Sequence, residues 1–322
     1  MRKALIYHTC IDENSRLDDL DVLEEVKVVS EALAKIGETS ESRAFIPDLQ
    51  KIKEDIKETG ADYIFNLVES VDGTDSLMVI APIMFESIGI PYTGCPLSAL
   101  VSTADKVEAK KSMNKEGIPT PKYIILDNLS EVKLEEGEKY LLKRRKEHDS
   151  VGIDERTFRF STTKQDIKER LIKEEEKGNA CFFEQYLEGR EFNISILNGE
   201  VLQIPEMLFV DYGDRPRIVG YQAKWGEGTF ESINTVRKFE FPKEDRKLLE
   251  ELKELTKKCW DKFNLKGYAR VDFRTDENEK PYVLEINTNP CISADAGFVV
   301  AAGKAGMKQE EVIQKITHDL NI

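Results

Sequence analysis

What this chain of 322 residues lacks narrows its function early. Its five cysteines, Cys10, Cys95, Cys181, Cys259 and Cys291, are odd in number, scattered and free of any Cys-x-x-Cys pair. A disulfide framework or a zinc knuckle is therefore not expected, and free thiols are. No apolar run approaches the roughly 20 residues needed to span a bilayer. The start, MRKALIYHTCIDEN, has too short an apolar stretch for a signal peptide, so a cytoplasmic protein is expected. Positive charge is in deficit: 47 Lys and Arg against 61 Asp and Glu leave a formal charge of -14, which disfavours a nucleic-acid partner. There is no GxxxxGK[ST] and no GxGxxG, so any phosphate must be held without a P-loop or a Rossmann turn.

What is present describes a soluble globular protein, 40% hydrophobic and 34% charged, long enough for two or three packed units. KALIYHT reads as a buried strand, and residues 18–37 as a helix with Leu23, Val26, Val29, Leu33 and Ile36 at helical spacing, ended by Gly37. IKEDIKETG, DYIFNLV, SLMVIAPIMFESIG and PYTGC continue as helix, strand, helix and turn, the alternation of an open parallel sheet. From Lys106 the pattern changes. A charged helix, KVEAKKSMNKEG, precedes the strands of IPTPKYIIL and KYLLK, and a second charged helix covers 164–177. CFFEQYLEGREFNISILNGEVLQIPEM reads as strand, connector and hairpin, 246–263 as an amphipathic helix, and 307–320 as a last helix.

Between those last two helices lie the strands GYARVDFR and PYVLEIN, joined by the turn TDENEK. If Asp272 pairs with Glu285, Arg270 faces Asn287, and period two puts all four side chains on one face. Val271, Phe273, Leu284 and Ile286 would then turn toward a core. Like charges directly opposite destabilise a strand pair, and a cation removes that penalty. Two carboxylates and an amide oxygen beside a guanidinium suit one or two Mg2+ ions, which take hard oxygen ligands.

Lys106 and Lys143 are candidates for neutralising phosphate, the second at the end of the apolar strand YLLK where a cation gains electrostatic leverage. In RRKEHDSVGID, Ser150 to Gly152 are candidates for a flap offering backbone N–H groups to phosphate oxygens. FFEQYLEGRE places Glu184 and Glu191 seven residues apart around a connector; backbone groups of Gln185 to Leu187 are candidates for a purine edge and Glu191 for ribose hydroxyls, which spacing alone does not establish.

Together these residues resemble the ATP-grasp superfamily, most closely its D-alanine:D-alanine ligase branch. GIPYTGC, TADKVEAKK, KRRKEHDSVG, FFEQYLEGREFNISIL, YQAKW, GYARVDF, YVLEINTNP and AAGKAGM occur in the family's order over nearly the whole chain. The implied fold is α/β, α+β in part, with a parallel domain over 1–103 and two ATP-grasp subdomains over 104–184 and 185–322. By resemblance Lys106 and Lys143 hold ATP phosphates, Glu184 and Leu187 form the adenine hinge, and Glu191 is the ribose ligand. Ser150 sits in the flap, Lys224 touches the transferred phosphoryl group, and Arg270 steadies the anionic intermediate. Asp272, Glu285 and Asn287 match the ligands of two Mg2+ ions, with Mn2+ as an alternative. The implied reaction joins a carboxylate to an amine through an acyl phosphate and releases ADP and phosphate, in a homodimer with amino-acid or small-peptide substrates.

Departures from the family pattern fall on the amino-acid side. The stretch after the first strand is YHTCIDENS, the second substrate loop is NLVESVDGTD, and HDS in the flap puts Asp149 where a serine is usual. Cys291 follows Pro290 where the family has glycine, Ala296 replaces a serine, and Trp225 replaces a tyrosine. Glu69, His148, Asp149, Cys291 and Asp295 are therefore the substrate-side candidates. Glu69 either holds an ammonium or caps the following helix, and His148 either meets a substrate or faces solvent. For Cys291 a backbone N–H contribution is expected over a nucleophilic one, since an acyl phosphate is already activated. The expected enzyme is a ligase whose substrates are not two D-alanines. The alternatives are authentic D-alanine:D-alanine ligase, a single-substrate kinase and a non-catalytic nucleotide sensor.

Overall fold

The computed structural model describes residues 1–13, 15, 20–147 and 160–320. Strand β1 (Lys3–His8) runs parallel to β2 (Thr39–Ala44) on one side and β3 (Tyr63–Leu67) on the other. Its side chains alternate between two cores. Ala4 and Ile6 pack with Val29 and Leu33 of α1 (Val22–Lys35), while Leu5 and Tyr7 pack with Ile52 of α2 (Leu49–Thr59) and Phe85 of α3 (Ile80–Ile88). A parallel sheet covered on both faces explains why β1 and β3 read as continuous apolar runs. The buried stripe of α1 runs through Val22, Val28, Val29, Ala32 and Leu33, and Leu23, expected on that stripe, is 50% exposed.

Two helices, α4 (Leu97–Ala104) and α5 (Lys106–Lys115), lead to a small antiparallel sheet. It comprises β4 (Tyr123–Ile124), β5 (Tyr140–Arg144) and β6 (Cys181–Gln185) in the order β4-β6-β5, covered by Ile167 and Leu171 of α6 (Lys164–Glu175). The larger sheet contains β7 (Glu191–Leu197), β8 (Glu200–Val201), β9 (Glu206–Phe209), β10 (Thr235–Lys238), β11 (Tyr268–Thr275) and β12 (Pro281–Asn287). Its order is β10-β9-β7-β11-β12, with β8 on β7. The short helices α7 (Tyr221–Trp225) and α8 (Phe230–Asn234) connect β9 to β10.

One face of that sheet is apolar. Phe192, Ile194, Val271 and Phe273 meet Leu252, Leu255 and Cys259 of α9 (Arg246–Lys262), each large side chain contributing about 1.5–3 kcal/mol on burial. The other face carries Asn193, Arg270 and Asp272 by the same alternation. Helices α10 (Gly297–Lys304) and α11 (Gln309–His318) return to the first sheet, where Phe298, Ile313 and Ile316 share a core with α1. Among the described residues no helix is long and apolar enough to cross a membrane.

The β11–β12 register pairs Arg270 with Asn287 and Asp272 with Glu285, as the alternation of the sequence requires. Beyond Asp272 the register shifts at a bulge, and Phe273 pairs with Val283. The extra residue is Leu284. The bulge turns it from the core, where it was expected, toward the cleft, and the fully buried position falls to Val283.

Candidate active site

The four polar side chains of the hairpin meet as expected. Arg270 chelates Asp272, with Nε to Oδ1 at 2.8 Å and Nη2 to Oδ2 at 2.9 Å, and Asn287 Nδ2 donates to Asp272 Oδ2 at 3.1 Å. Glu285 Oε2 lies 3.2 Å from Lys106 Nζ. Among the described residues no three acidic, His or Cys side chains cluster closely enough to hold a metal by themselves. The set here is two carboxylates completed by amide oxygen. It has a further member, Asn193 on β7, which lies directly opposite Asp272 and whose Oδ1 is buried without a hydrogen-bond partner among the described residues. A buried acceptor left unsatisfied costs about 1–3 kcal/mol, and a hard cation would relieve it. The donor set fits Mg2+.

The cleft between the two antiparallel sheets is lined by cations from α5 and β5. Asp105 caps α5, accepting from Val107 and Glu108 N–H, and is tied to Arg145 at 2.7 Å, which anchors the helix start to the end of β5. Lys106 and Lys110, one turn apart, then share a face. Lys110 is fully buried and reaches Glu184 Oε1 at 2.6 Å, Thr120 Oγ1 at 2.8 Å and the Leu284 carbonyl at 3.1 Å. Lys143 takes the other oxygen of Glu184 at 2.5 Å. Burial would raise the Glu184 carboxyl, but the two lysines hold it below its usual value. Burial alone would lower Lys143, and Glu184 and Glu285 together raise it instead.

Glu184 therefore lies inside a strand between two lysines. The connector proper begins after Gln185, the last residue of β6. The Gln185 and Tyr186 N–H groups are already given to the carbonyls of Lys122 and Lys139, which leaves Leu187 as the residue of the expected hinge not bound into the small sheet. Gly189 passes so close to β11 that a Cβ there would come within 2.4 Å of the Thr275 carbonyl oxygen, so only glycine fits. Glu191 is paired with Arg274 at 3.1 Å, and its burial pushes its carboxyl above the usual range against the pull of that arginine. Lys143, Glu184, Leu187, Glu191, Lys224, Asp272 and Glu285 line one narrow pocket of about 60 Å³.

A second, larger cavity of about 610 Å³ adjoins it, and Asn193 and Lys224 line both. Both signs of charge line it. Asp21, Glu69 and Asp75 come from the N-terminal unit; Lys224, Arg237 and Arg270 come from the large sheet and its short helix, with the acidic Glu227 and Asp295 on that same side. Cys291 lies between, its Sγ donating to Asp21 Oδ2 at 2.9 Å. Burial and the surrounding Glu25, Glu69 and Asp21 raise its thiol well above the usual value, so it stays protonated. Glu69 is fixed through its backbone, whose N–H donates to Thr9 Oγ1 at 3.0 Å. Asp295 stands beside Arg237, and its Oδ1 accepts from Ser293.

Thus Lys106, Lys143, Glu184, Leu187, Glu191, Lys224, Arg270, Asp272, Glu285 and Asn287 gather at the cleft, and Glu69, Cys291 and Asp295 at the larger cavity. His148, Asp149 and Ser150 lie outside the described residues. Lys110, Asn193, Asp21 and Arg237 were not anticipated. The first two had a signal, since Lys110 is four residues from Lys106 and Asn193 two from Glu191 on the same strand face.

Two antiparallel sheets closing on a lysine-lined cleft, with paired carboxylates at its floor, define the ATP-grasp class. Within it the chain belongs to the D-alanine–D-alanine ligase family: residues 113–318 match the family described as D-ala D-ala ligase C-terminus. The chain is 25% identical over 293 residues to the D-alanine–D-alanine ligase of Haemophilus ducreyi, covering 89% of each. It is 28% identical over 282 residues to that of Carboxydothermus hydrogenoformans, covering 83% of this chain and 84% of the relative. It is also 28% identical over 254 residues to the uncharacterized protein y4sG of Sinorhizobium fredii, covering 79% and 73%. In fold it matches the D-alanine–D-alanine ligase of Bacillus anthracis complexed with ATP, at a TM-score of 0.74 and 19% identity over 100% of this chain and 98% of that one.

Proposed function

We propose that this protein is an ATP-dependent ligase that joins the carboxylate of one amino acid or small peptide to the amine of another, releasing ADP and phosphate. The observation that carries the reading is the position of Asn193 and Lys224. Both line the narrow pocket and the larger cavity, so a group bound in one is presented to the other. ATP would bind between the sheets, with its phosphates taking over Lys106 and Lys143 from their present carboxylate partners. At about 60 Å³ the pocket is too small for a purine and would have to enlarge to admit it. Leu187 would then meet the adenine and Glu191 the ribose.

Asp272, Glu285 and Asn287, with Asn193 beside them, would hold Mg2+, which neutralises charge on the transferred phosphoryl group. Lys224 orients the attacking carboxylate from the larger cavity toward that group, and an acyl phosphate results. The second substrate's amine then attacks the acyl carbon. Arg270 and backbone donors near Cys291 stabilise the oxyanion, phosphate leaves, and the amine loses a proton. The thiol of Cys291, protonated and bonded to Asp21, takes no part as a nucleophile.

Authentic D-alanine:D-alanine ligation is the second reading, favoured by the printed activity of the Haemophilus and Carboxydothermus relatives. The departures from the family pattern that line the cavity, Cys291 and Ala296, favour different substrates. The division at 103/104 and 184/185, a homodimer and a cytoplasmic setting belong to the same proposal. The test is ADP release over a panel of amino acids, with mass spectrometry of the products. Release that needs two components and yields a peptide bond supports the ligase, release with one component a kinase, and no release despite ATP binding a sensor.

A further inference from the structure

Arg237 reaches the larger cavity from an unexpected direction. It lies on β10, the edge strand of the large sheet, and its side chain crosses to the loop that follows β12. Nη1 donates to the main-chain oxygen of Asp295 at 3.1 Å. Nε and Nη2 stand 3.6 and 3.7 Å from where a Cβ on Gly297 would sit, so the guanidinium lies against the first turn of α10. The wall there is formed by Ala296 and Gly297, neither of which has a side chain that can hydrogen-bond. Arg237 is the cationic side chain that reaches that wall.

The two arginines of the cavity differ in how they are spent. Arg270 is committed to Asp272 through two hydrogen bonds. Arg237 has one hydrogen bond to a neutral carbonyl and no ion pair with a described residue. Enclosure by the cavity, and then the charge of Arg270, lower its proton affinity below the usual arginine value; Asp295 opposes them only in part, and an incoming anion would oppose them further. Its planar fork matches a carboxylate in two parallel hydrogen bonds. The anion in question is not the one that reacts with ATP. That group must face Lys224 and Asn193, which border the narrow pocket, and Arg237 does not border it.

We infer that Arg237 binds the carboxylate of the amine-bearing substrate, so that this substrate is an amino acid or peptide with a free carboxyl group rather than a simple amine or an amide. The inference rests on the ligase reading above. It sets ammonium groups toward Asp21, Glu69 and Asp75 and this carboxylate toward Arg237, whose guanidinium outweighs the neighbouring Asp295 by its two hydrogen bonds to the incoming group.

The experiment starts from the peptide product that wild-type enzyme, ATP and Mg2+ make from a mixed amino-acid pool, identified by mass spectrometry. The amine-bearing component is then compared with its own C-terminal carboxamide in wild type, Arg237→Ala and Arg237→Lys. Wild type should prefer the acid by about 10²-fold in kcat/KM. Arg237→Ala should lose about that factor on the acid, mostly in KM, and with it the preference over the amide, while the KM for ATP stays within about twofold. Arg237→Lys should recover part of the preference, because it keeps the charge and loses the fork. An acid-to-amide ratio unchanged in Arg237→Ala, or an equal rise in the KM for ATP, overturns the inference and leaves the ligase standing. Absence of any peptide from wild type overturns the ligase reading and this inference with it.

Discussion

The narrow pocket and the larger cavity share a wall but are built differently. In the first, the charged groups sit on regular elements and are matched: Lys106 with Glu285, Lys110 and Lys143 with Glu184, Arg274 with Glu191. In the second, many lining residues come from the irregular segment 288–296, the short helix α7 and the loops at the carboxyl ends of β1 and β3, and both signs of charge face the same space. Rigid strands fix the group that does the same chemistry on every substrate, and loops shape the part that must recognise a particular one. A site so divided can change what it joins without changing how it activates it.

The comparison is tested most severely at its floor. Glu285→Gln keeps shape and removes one charge from the proposed cation site, so phosphoryl transfer should fall by about 10³-fold with folding retained. ADP release and thermal unfolding measure the two separately, and full activity would remove the metal assignment. Lys110→Met is expected to act on stability as well. Glu184 would keep only Lys143, and breaking a buried pair from one side costs about 3–5 kcal/mol. Urea unfolding reads this directly; a loss under about 1 kcal/mol would show that water or Lys143 alone satisfies Glu184.

How much of this was visible beforehand follows the same division. The hairpin was legible because alternation is a strong signal: Arg270, Asp272, Glu285 and Asn287 stand at every second position among apolar neighbours. The bulge at Leu284 was not, since one extra residue in a strand leaves composition and alternation almost unchanged on either side of it. Strand β2, TSESRA, is polar and half exposed because it is the edge of its sheet, and such strands carry little apolar pattern. Lys110 shares a helix face with Lys106 in KVEAKK, but its burial shows only in its position facing Glu184 across the cleft. Arg237 sits in a four-residue strand amid charged residues, and its partner wall lies some sixty positions later, a proximity that no local pattern encodes.

The substrate cavity is the next place to divide the two halves. Asp21→Asn and Glu69→Gln each remove a charge from its acidic wall, and each should raise the KM of an amino substrate about tenfold while leaving the KM for ATP unchanged. Steady-state kinetics with the substrates varied in turn decides the matter. An equal loss on ATP would mean that these side chains shape the cleft as a whole rather than the amino-acid end of it.

The smallest effect is expected at the end of β1, where His8 supports the strand that leads to Thr9, the acceptor for the Glu69 and Ser70 N–H groups. Burial lowers the His8 pKa from the usual 6.5, only partly opposed by the bond between its Nδ1 and the Thr9 carbonyl. Between the lowered value and 6.5 the unfolded chain binds a proton that the folded chain does not, so stability from this group is complete above pH 6.5 and lost as pH falls through the lowered value. His8→Asn removes that titration. The urea midpoint of the variant should therefore fall less steeply than that of wild type as the solution is acidified below 6.5, while the slope above it is the same in both. Parallel curves throughout would place the imidazole in water, and the edge of the cavity would then owe nothing to it.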